Sequence, residues 1–233
     1  MIDPSPEAPG DAAGRGGKPK ILVWDLPTRL FHWLAVALIA AAYATWRLNL
    51  MLWHAWVGYM LLALVLFRLL WGFFGGETSR FKSFIAAPRT ALRHLRQVLR
   101  SAPEPRIGHN PAGGWMVALL ILLMLAQTLT GLYVDNDIAD EGPLTEFVPA
   151  GVANAIAALH DNVLWDALLA AIALHVLAIA LYAGKGLNLV APMITGHAEA
   201  PTEARPPHMV GAIRAIVLFA SSALATAVLV RIL

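Results

Sequence analysis

The sequence predicts an all-α membrane protein in which four spanning helices form a bundle and a fifth, C-terminal spanning helix follows. Three observations lead there. Of the 233 residues, 58% are hydrophobic and 14% charged. Five apolar runs approach the ~20 residues that a helix needs to cross a bilayer. The basic and acidic residues also sort into different connections between those runs. The net charge of +2 reflects that sorting and does not mark a nucleic-acid surface, so membrane lipid is the expected surround.

Residues 1–20 are rich in Pro, Gly and Ala and almost free of large apolar side chains, which predicts a disordered tail. Trp24, Asp25 and Pro27 mark the approach to a first helix over 29–46. Basic residues before an apolar run also fit a signal peptide, but this run is interrupted early by His32 and Trp33 and is long enough to be retained. The turn Arg47-Leu48-Asn49 leads into a second helix over 50–73, which Gly72, Gly75 and Gly76 break. The connection over 77–112 is basic. Within it, 88–101 reads as an amphipathic surface helix, with Arg89, Arg93, Arg96 and Arg100 in one stripe and Leu92, Leu95, Val98 and Leu99 on another side.

A third helix follows over 114–134. The loop after it carries Asp135, Asp137, Asp140, Glu141 and Glu146 without one Lys or Arg. The fourth helix spans 159–182. A Pro- and Gly-containing linker then precedes a last apolar run, Met209 to Leu233. The expected division is a tail at 1–20, a four-helix domain at 21–196, and a linker with the fifth helix at 197–233. The small residues from Ala220 to Ala225 suit a helix contact, on another subunit or on the first or fourth helix of this chain.

Short loops rich in Lys and Arg stay in the cytoplasm. This expectation puts the N-terminus and the 77–112 connection inside and the acidic loop outside, in a multi-pass protein of a bacterial inner membrane. His32 then lies towards the inner side, His54 towards the outer side, His160 near the outer end of the fourth helix, and His175 deeper. At ~1.5 Å and ~100° per residue, His160 and His175 are roughly 22 Å apart on one face. Depth alone pairs His32 with His175 and His54 with His160. A histidine inside a spanning segment usually has a partner and is a functional candidate.

Paired imidazoles on facing helices suit the axial positions of haem. Zinc and copper also accept imidazole, but two histidines without a nearby Cys or carboxylate fall short of a tetrahedral site. The chain has no cysteine, which excludes iron–sulfur ligation and thioether-linked haem and leaves non-covalent b-type haem. Gly58, Ala167 and Ala171 would let a flat ring approach. Arg68 falls about fourteen residues and roughly 21 Å below His54 on nearly the same face. Arg29 precedes His32 by about one turn. Both arginines face the expected inner site, where they can pair with haem propionates. His94, His197 and His208 fall in polar connections and carry no assigned chemistry.

The run Val23-Trp24-Asp25-Leu26-Pro27-Thr28-Arg29-Leu30-Phe31-His32-Trp33 resembles the prokaryotic cytochrome b561 family. So do His54-Ala55-Trp56-Val57-Gly58-Tyr59, Phe67-Arg68-Leu69-Leu70-Trp71-Gly72, Gly108-His109-Asn110-Pro111 and the two histidines of the fourth helix. Relatives in that family include b-type cytochrome subunits of nickel–iron hydrogenases and formate dehydrogenases. The resemblance, over about 22–196, implies a four-helix core with two b haems and His32, His54, His160 and His175 at the ligand positions. It implies electron transfer across the membrane between a quinone pool and a redox partner, such as a c-type cytochrome or a dehydrogenase or hydrogenase subunit. The alternatives are a stand-alone quinone oxidoreductase, for example one oxidising superoxide, or a haem-free scaffold or transporter. The fifth helix departs from the minimal family pattern. His109 matches a family motif and is expected near a quinone or a propionate, or at the helix entry, rather than as an axial ligand.

Overall fold

The computed structural model describes residues 19–101, 106–134, 142–199 and 204–231. Most of the expected tail, Asp135 to Glu141 of the acidic loop, part of the linker and the last two residues lie outside the described residues. Five helices are long and apolar enough to cross a membrane. The molecule is an all-α membrane protein whose sheet, among the described residues, is one short strand pair.

Strand β1, Lys20–Leu22, pairs antiparallel with β2, His197–Glu199, so the segment leading into the first helix is fastened to the segment leaving the fourth. Just beyond the strands, the carbonyl of Gly196 accepts from the amides of Val23 and Trp24. Gly196 has φ +85°, and an added Cβ would lie 2.9 Å from Leu22 and 3.0 Å from the Trp24 carbonyl. Only glycine fits that turn without strain.

Helix α1 spans Leu26–Arg47. It starts earlier than the apolar pattern suggests because Asp25 is its N-cap, accepting from the Thr28 amide at 2.9 Å, with Pro27 in the first turn. Asn49, at φ 56°, turns the chain into α2, Met51–Phe74, which packs against α1. A short 3₁₀ turn, Glu77–Ser79, and the single helical turn α3, Phe81–Phe84, follow. The surface helix α4 is Pro88–Arg100.

Helix α5, Pro111–Thr130, begins at its proline because Asn110 caps it through the Gly113 amide, and it tightens into 3₁₀ geometry at Gly131–Tyr133. The fourth spanning rod runs from Ala150 to Gly184. It consists of α6, Ala150–Ala158, a π-helical segment, Leu159–Leu164, and α7, Trp165–Gly184. The sequence pattern places its start at Leu159. The alanines at 150, 153, 155, 157 and 158 extend it backwards because alanine has the highest helix propensity. After α8, Val190–Thr195, the chain reaches β2 and then α9, Ala212–Arg231.

The small-residue face of α9 packs on α2, and not on the first or fourth spanning helix. Ala215, Ser222 and Thr226 are buried there. Ser222 and Thr226 return their hydroxyls to backbone carbonyls of their own helix, so they bring the helices close without leaving a polar group unpaired. At the same end, Arg214 donates to the Phe74 carbonyl at 3.3 Å, a cation on the last turn of α2. Glu77 and His208 exchange two backbone-directed bonds, and the His208 amide holds the Glu77 carboxyl below its usual pKa. The core that results gathers Phe31 and Ala35 of α1, Leu61, Leu64, Val65, Phe67 and Trp71 of α2, Ile121 and Met124 of α5, and Leu168 of α7.

A polar knot closes the end that carries the N-terminal segment, here termed the basic end. Asp25 is buried and accepts from the Thr28 amide, from Trp71 Nε1 at 3.1 Å and from Ser79 Oγ at 3.1 Å. Thr28 Oγ1 is 2.7 Å from Ser79 Oγ, and Thr78 Oγ1 donates to the Val23 carbonyl. Arg68, 2% exposed, donates to the Ser79 carbonyl and lies between the rings of Phe31 and Phe81. We expect Asp25→Ala to cost on the order of 2–4 kcal/mol, because a buried acceptor of three hydrogen bonds is removed and the Thr28 amide and Trp71 Nε1 are left without partners. The thermal midpoint of the purified protein in detergent measures the cost, and Asp25→Asn should recover part of it.

Candidate functional site

Two histidine pairs lie at opposite ends of the bundle. At the basic end, His32 in the second turn of α1 faces His175 of α7, with ring centroids 6.4 Å apart and planes at 57°. At the other end, His54 in the first turn of α2 faces His160 in the π-helical segment, again at 6.4 Å, with planes at 89°. These are the two pairs that depth predicts.

Their spacing has a chemical meaning. An imidazole nitrogen lies roughly 1.1 Å from the ring centroid and bonds a metal at about 2.0–2.1 Å, so two imidazoles on opposite sides of one ion hold their centroids roughly 6.3 Å apart. Rings in direct contact also have centroids about 4.5–7 Å apart, so the spacing fits an ion between the rings without requiring one. At 6.4 Å both pairs have room for one ion between the rings, and the hydrogen bonds decide which nitrogens are left to meet it.

The hydrogen bonds at the His54–His160 end fix which nitrogen is free. His54 Nδ1 is 2.9 Å from the Ala42 carbonyl, and His160 Nδ1 is 2.9 Å from the Gln127 carbonyl. A carbonyl only accepts, so both Nδ1 atoms carry the proton and both Nε2 atoms keep a lone pair. This is the arrangement of metal-ligating histidines, whose other N–H is held by a backbone carbonyl. Gln127 also donates its side-chain amide to the His160 carbonyl at 3.1 Å, so α5 grips His160 by both ring and backbone. Gly131 completes the grip, since a Cβ there would lie 2.9 Å from His160 Cε1. The π-helical turn places His160, and single widened turns of this kind recur at functional sites.

A cavity of about 340 Å³ adjoins this pair, lined among others by Ala42, Trp46, Gly58, Gln127 and Trp165. That volume falls in the range of cofactor pockets. An added Cβ at Gly58 would meet nothing within 4 Å, so it would project into open space. Tyr43 stacks on Trp165 at 5.7 Å along the same cavity. The free nitrogens of His54 and His160, the small residues and the aromatic walls suit a flat macrocycle, which these two histidines would hold. Among the described residues no group of three or more His, Asp or Glu side chains gathers as a protein-only metal site.

The His32–His175 pair has different surroundings. His32 Nδ1 is buried with no hydrogen-bond partner, and the ring meets Trp33 edge-on. Arg68 is buried in the knot described above, and Asp25 offsets its charge. Arg29 donates to the Ile194 carbonyl at 2.5 Å, while its Nε is buried without a partner. Both arginines therefore reach the basic end of the bundle, each with part of its guanidinium uncommitted to protein acceptors.

His109 sits between the rings of Trp24, at 4.5 Å, and Phe84, at 4.6 Å. Its ring keeps some exposure, but Nδ1 is sealed and unpartnered. Burial, with the positive charge of Arg68 next, pushes its pKa down to about 3. Asn110, beside it, donates its amide to the Tyr182 hydroxyl at 2.9 Å, and that hydroxyl is 3.1 Å from His94 Nε2.

Several of these residues escape a reading for ligands. Gln127 was legible as a lone amide in an apolar helix, and Gly131 as a break at its end. The Ala42 carbonyl carries no sequence signal at all, because any residue supplies one.

The model of one protein family, described as prokaryotic cytochrome b561, matches residues 23–196. Searches of curated proteins and of solved structures gave no match.

The environment of His109 sets a pH dependence. Its folded pKa lies below the ordinary value, so the unfolded chain binds more protons between pH 3 and 6.5 and stability falls as pH drops through that window. Lowering pH from 7.5 to 5 should cost on the order of 1–2 kcal/mol at this residue. His109→Phe keeps the aromatic packing and should flatten that part of the profile, read as thermal midpoint against pH.

Proposed function

The chain belongs to the prokaryotic cytochrome b561 family, and from that premise we propose that it is a di-haem electron carrier linking a quinone pool to a redox partner across the membrane. As a family member it is a membrane b-type cytochrome of electron transfer. The finer reading assigns one haem to His32 and His175 and a second to His54 and His160. The observation that carries it is that the four histidines of the spanning helices meet as two pairs at opposite ends of the bundle, with Nδ1 of His54 and of His160 each on a backbone carbonyl.

A b haem, when bound, supplies a one-electron couple, and the protein tunes it through ligand basicity, burial and nearby charge. At the His54–His160 end, the Ala42 and Gln127 carbonyls hold each Nδ1–H and raise the basicity of the opposite nitrogen. At the basic end, His32 lacks such a partner, and Arg68 and Arg29 supply positive charge. Charge-assisted bonds from these guanidiniums to propionates would orient the macrocycle. Positive charge stabilises the reduced, more electron-rich state, so this reading gives the basic-end site the higher potential.

The quinone and the protein partner remain parts of the proposal that rest on family membership. The basic residues of the 77–112 connection support a cytoplasmic N-terminus in a bacterial inner membrane. The first haem would then lie near the cytoplasmic face and the second near the opposite face.

Two outcomes test the assignment. The purified protein should release close to two haems per chain into acidified organic solvent, because no cysteine is present to attach them covalently; a ratio near one counts against it. In reduced-minus-oxidised spectra, His32→Ala and His175→Ala should remove one component, and His54→Ala and His160→Ala the other. If His32→Ala and His54→Ala lose the same component, the pairing is wrong.

A further inference from the structure

We propose that α4 is a binding surface for anionic phospholipid, with its arginine stripe on the headgroup phosphates and its leucine stripe against the adjoining acyl chains. At ~100° per residue the helix divides into three faces, each within about 60° of arc, with the leucine face about 100° from each of the other two and the arginine face about 160° from the inner one. Ala91, His94 and Val98 form the first and turn towards the bundle, where Val98 is buried and α4 packs on α5. Leu92, Leu95 and Leu99 form the second, and they are 50%, 47% and 61% exposed. Arg89, Arg93, Arg96 and Arg100 form the third, all exposed.

The helix is fixed in place, so its outer faces are a built feature. Lys185 Nζ donates to the carbonyls of Leu99 and Ser101 at its C-terminal end. The Tyr182 hydroxyl is 3.1 Å from His94 Nε2 on the inner face and also accepts from the Asn110 amide. Just ahead of α4, Trp115 Nε1 donates to the Ala86 carbonyl at 3.0 Å. These anchors lie on the same end of the bundle as the polar knot, beside the ends of α5 and α7.

Charge decides the occupant. Residues Pro88–Arg100 contain no acidic side chain, and among the described residues no carboxylate pairs with the four guanidiniums. The arginine side chains, with Leu92, Gln97 and Ser101, line a shallow open groove along the helix, and the exposed leucine stripe runs beside it. An apolar wall next to a cationic one matches the boundary of an anionic leaflet, where acyl carbon gives way to phosphate within a few ångströms. A soluble acidic partner would satisfy the arginines and leave the three leucines in water. Basic residues at such a surface each contribute about a fivefold gain in affinity for anionic lipid.

The full-length protein as purified, with whatever haem it holds, is titrated in non-ionic detergent with dioleoylphosphatidylglycerol or dioleoylphosphatidylcholine, and the thermal midpoint is followed by tryptophan fluorescence. The half-maximal concentration should be at least about tenfold lower for phosphatidylglycerol. Arg93→Gln combined with Arg96→Gln should bring the two lipids within about threefold of each other, whereas Arg93→Lys with Arg96→Lys should keep most of the preference. Should the glutamine variant fail to fold, about 0.5 M NaCl applied to the unmodified protein provides the same test, because exposed charges are screened at that ionic strength. Equal response to the two lipids, or a preference that survives both the glutamines and the salt, overturns the proposal. An equal shift from inorganic phosphate alone would reassign the stripe to a small-anion site. No lipid effect, together with tight binding of polyglutamate, would reassign it to an acidic protein.

Discussion

A single buried carboxylate holds the basic end of this bundle together. Asp25 caps α1, accepts from Trp71 near the end of α2 and accepts from Ser79 in the turn beyond it. The entry of the first spanning helix is thereby set against the exit of the second. A hydrogen bond to a charged group is roughly twice as strong as a neutral one, and a buried acceptor without partners is costly, so the three donors and the carboxylate specify one another. Gly76 packs against the carboxylate so closely that a Cβ would fall 2.8 Å from Oδ2. With this junction fixed, the depth of His32 on α1 is fixed relative to Arg68 on α2. The Gly196 turn then ties the same N-terminal segment to the far side of α8.

The two histidine pairs are alike in spacing and unlike in support. Around His54 and His160 the ring N–H groups end on the carbonyls of Ala42 in α1 and Gln127 in α5. Thr45 shares the Ala42 carbonyl, and Thr130 approaches His160 Nδ1 at 3.2 Å. Among the described residues His32 Nδ1 has no such acceptor, and the guanidiniums of Arg29 and Arg68 lie at the same end of the bundle, Arg68 beside Asp25. The two pairs thus sit in two different settings, and on the proposed di-haem reading that difference would give the two haems distinct potentials. The fifth spanning helix contributes no histidine to either pair. It seals α2, whose central position among α1, α5 and α9 makes it the most buried of the spanning helices.

Much of this was legible in the sequence because membranes constrain it so strongly. Hydropathy alone locates five spans, since a backbone in hydrocarbon has to be helical or closed into a barrel. The histidine pairs followed from depth, because the positive-inside pattern sets direction and each residue adds a fixed rise. Boundaries were less legible where capping or propensity overrode hydropathy. Asp25 and Asn110 start α1 and α5 before the apolar residues begin, and an alanine-rich stretch extends the fourth rod back to Ala150. The arginine stripe of α4 was plain from spacing, but the docking that leaves both of its outer faces exposed was not.

The sequence by itself determined the number of spans and the depths at which His32 meets His175 and His54 meets His160, because hydrophobicity and helical rise are local properties that add along a chain. Only the tertiary structure decided which nitrogen of His54 and His160 stays free, since that depends on carbonyls of Ala42 and Gln127 that are distant in sequence and identical in every residue. It also decided that α9 packs on α2. Small residues permit close approach to any helix, and the choice among neighbours is made by shape and by end contacts such as Arg214 to Phe74.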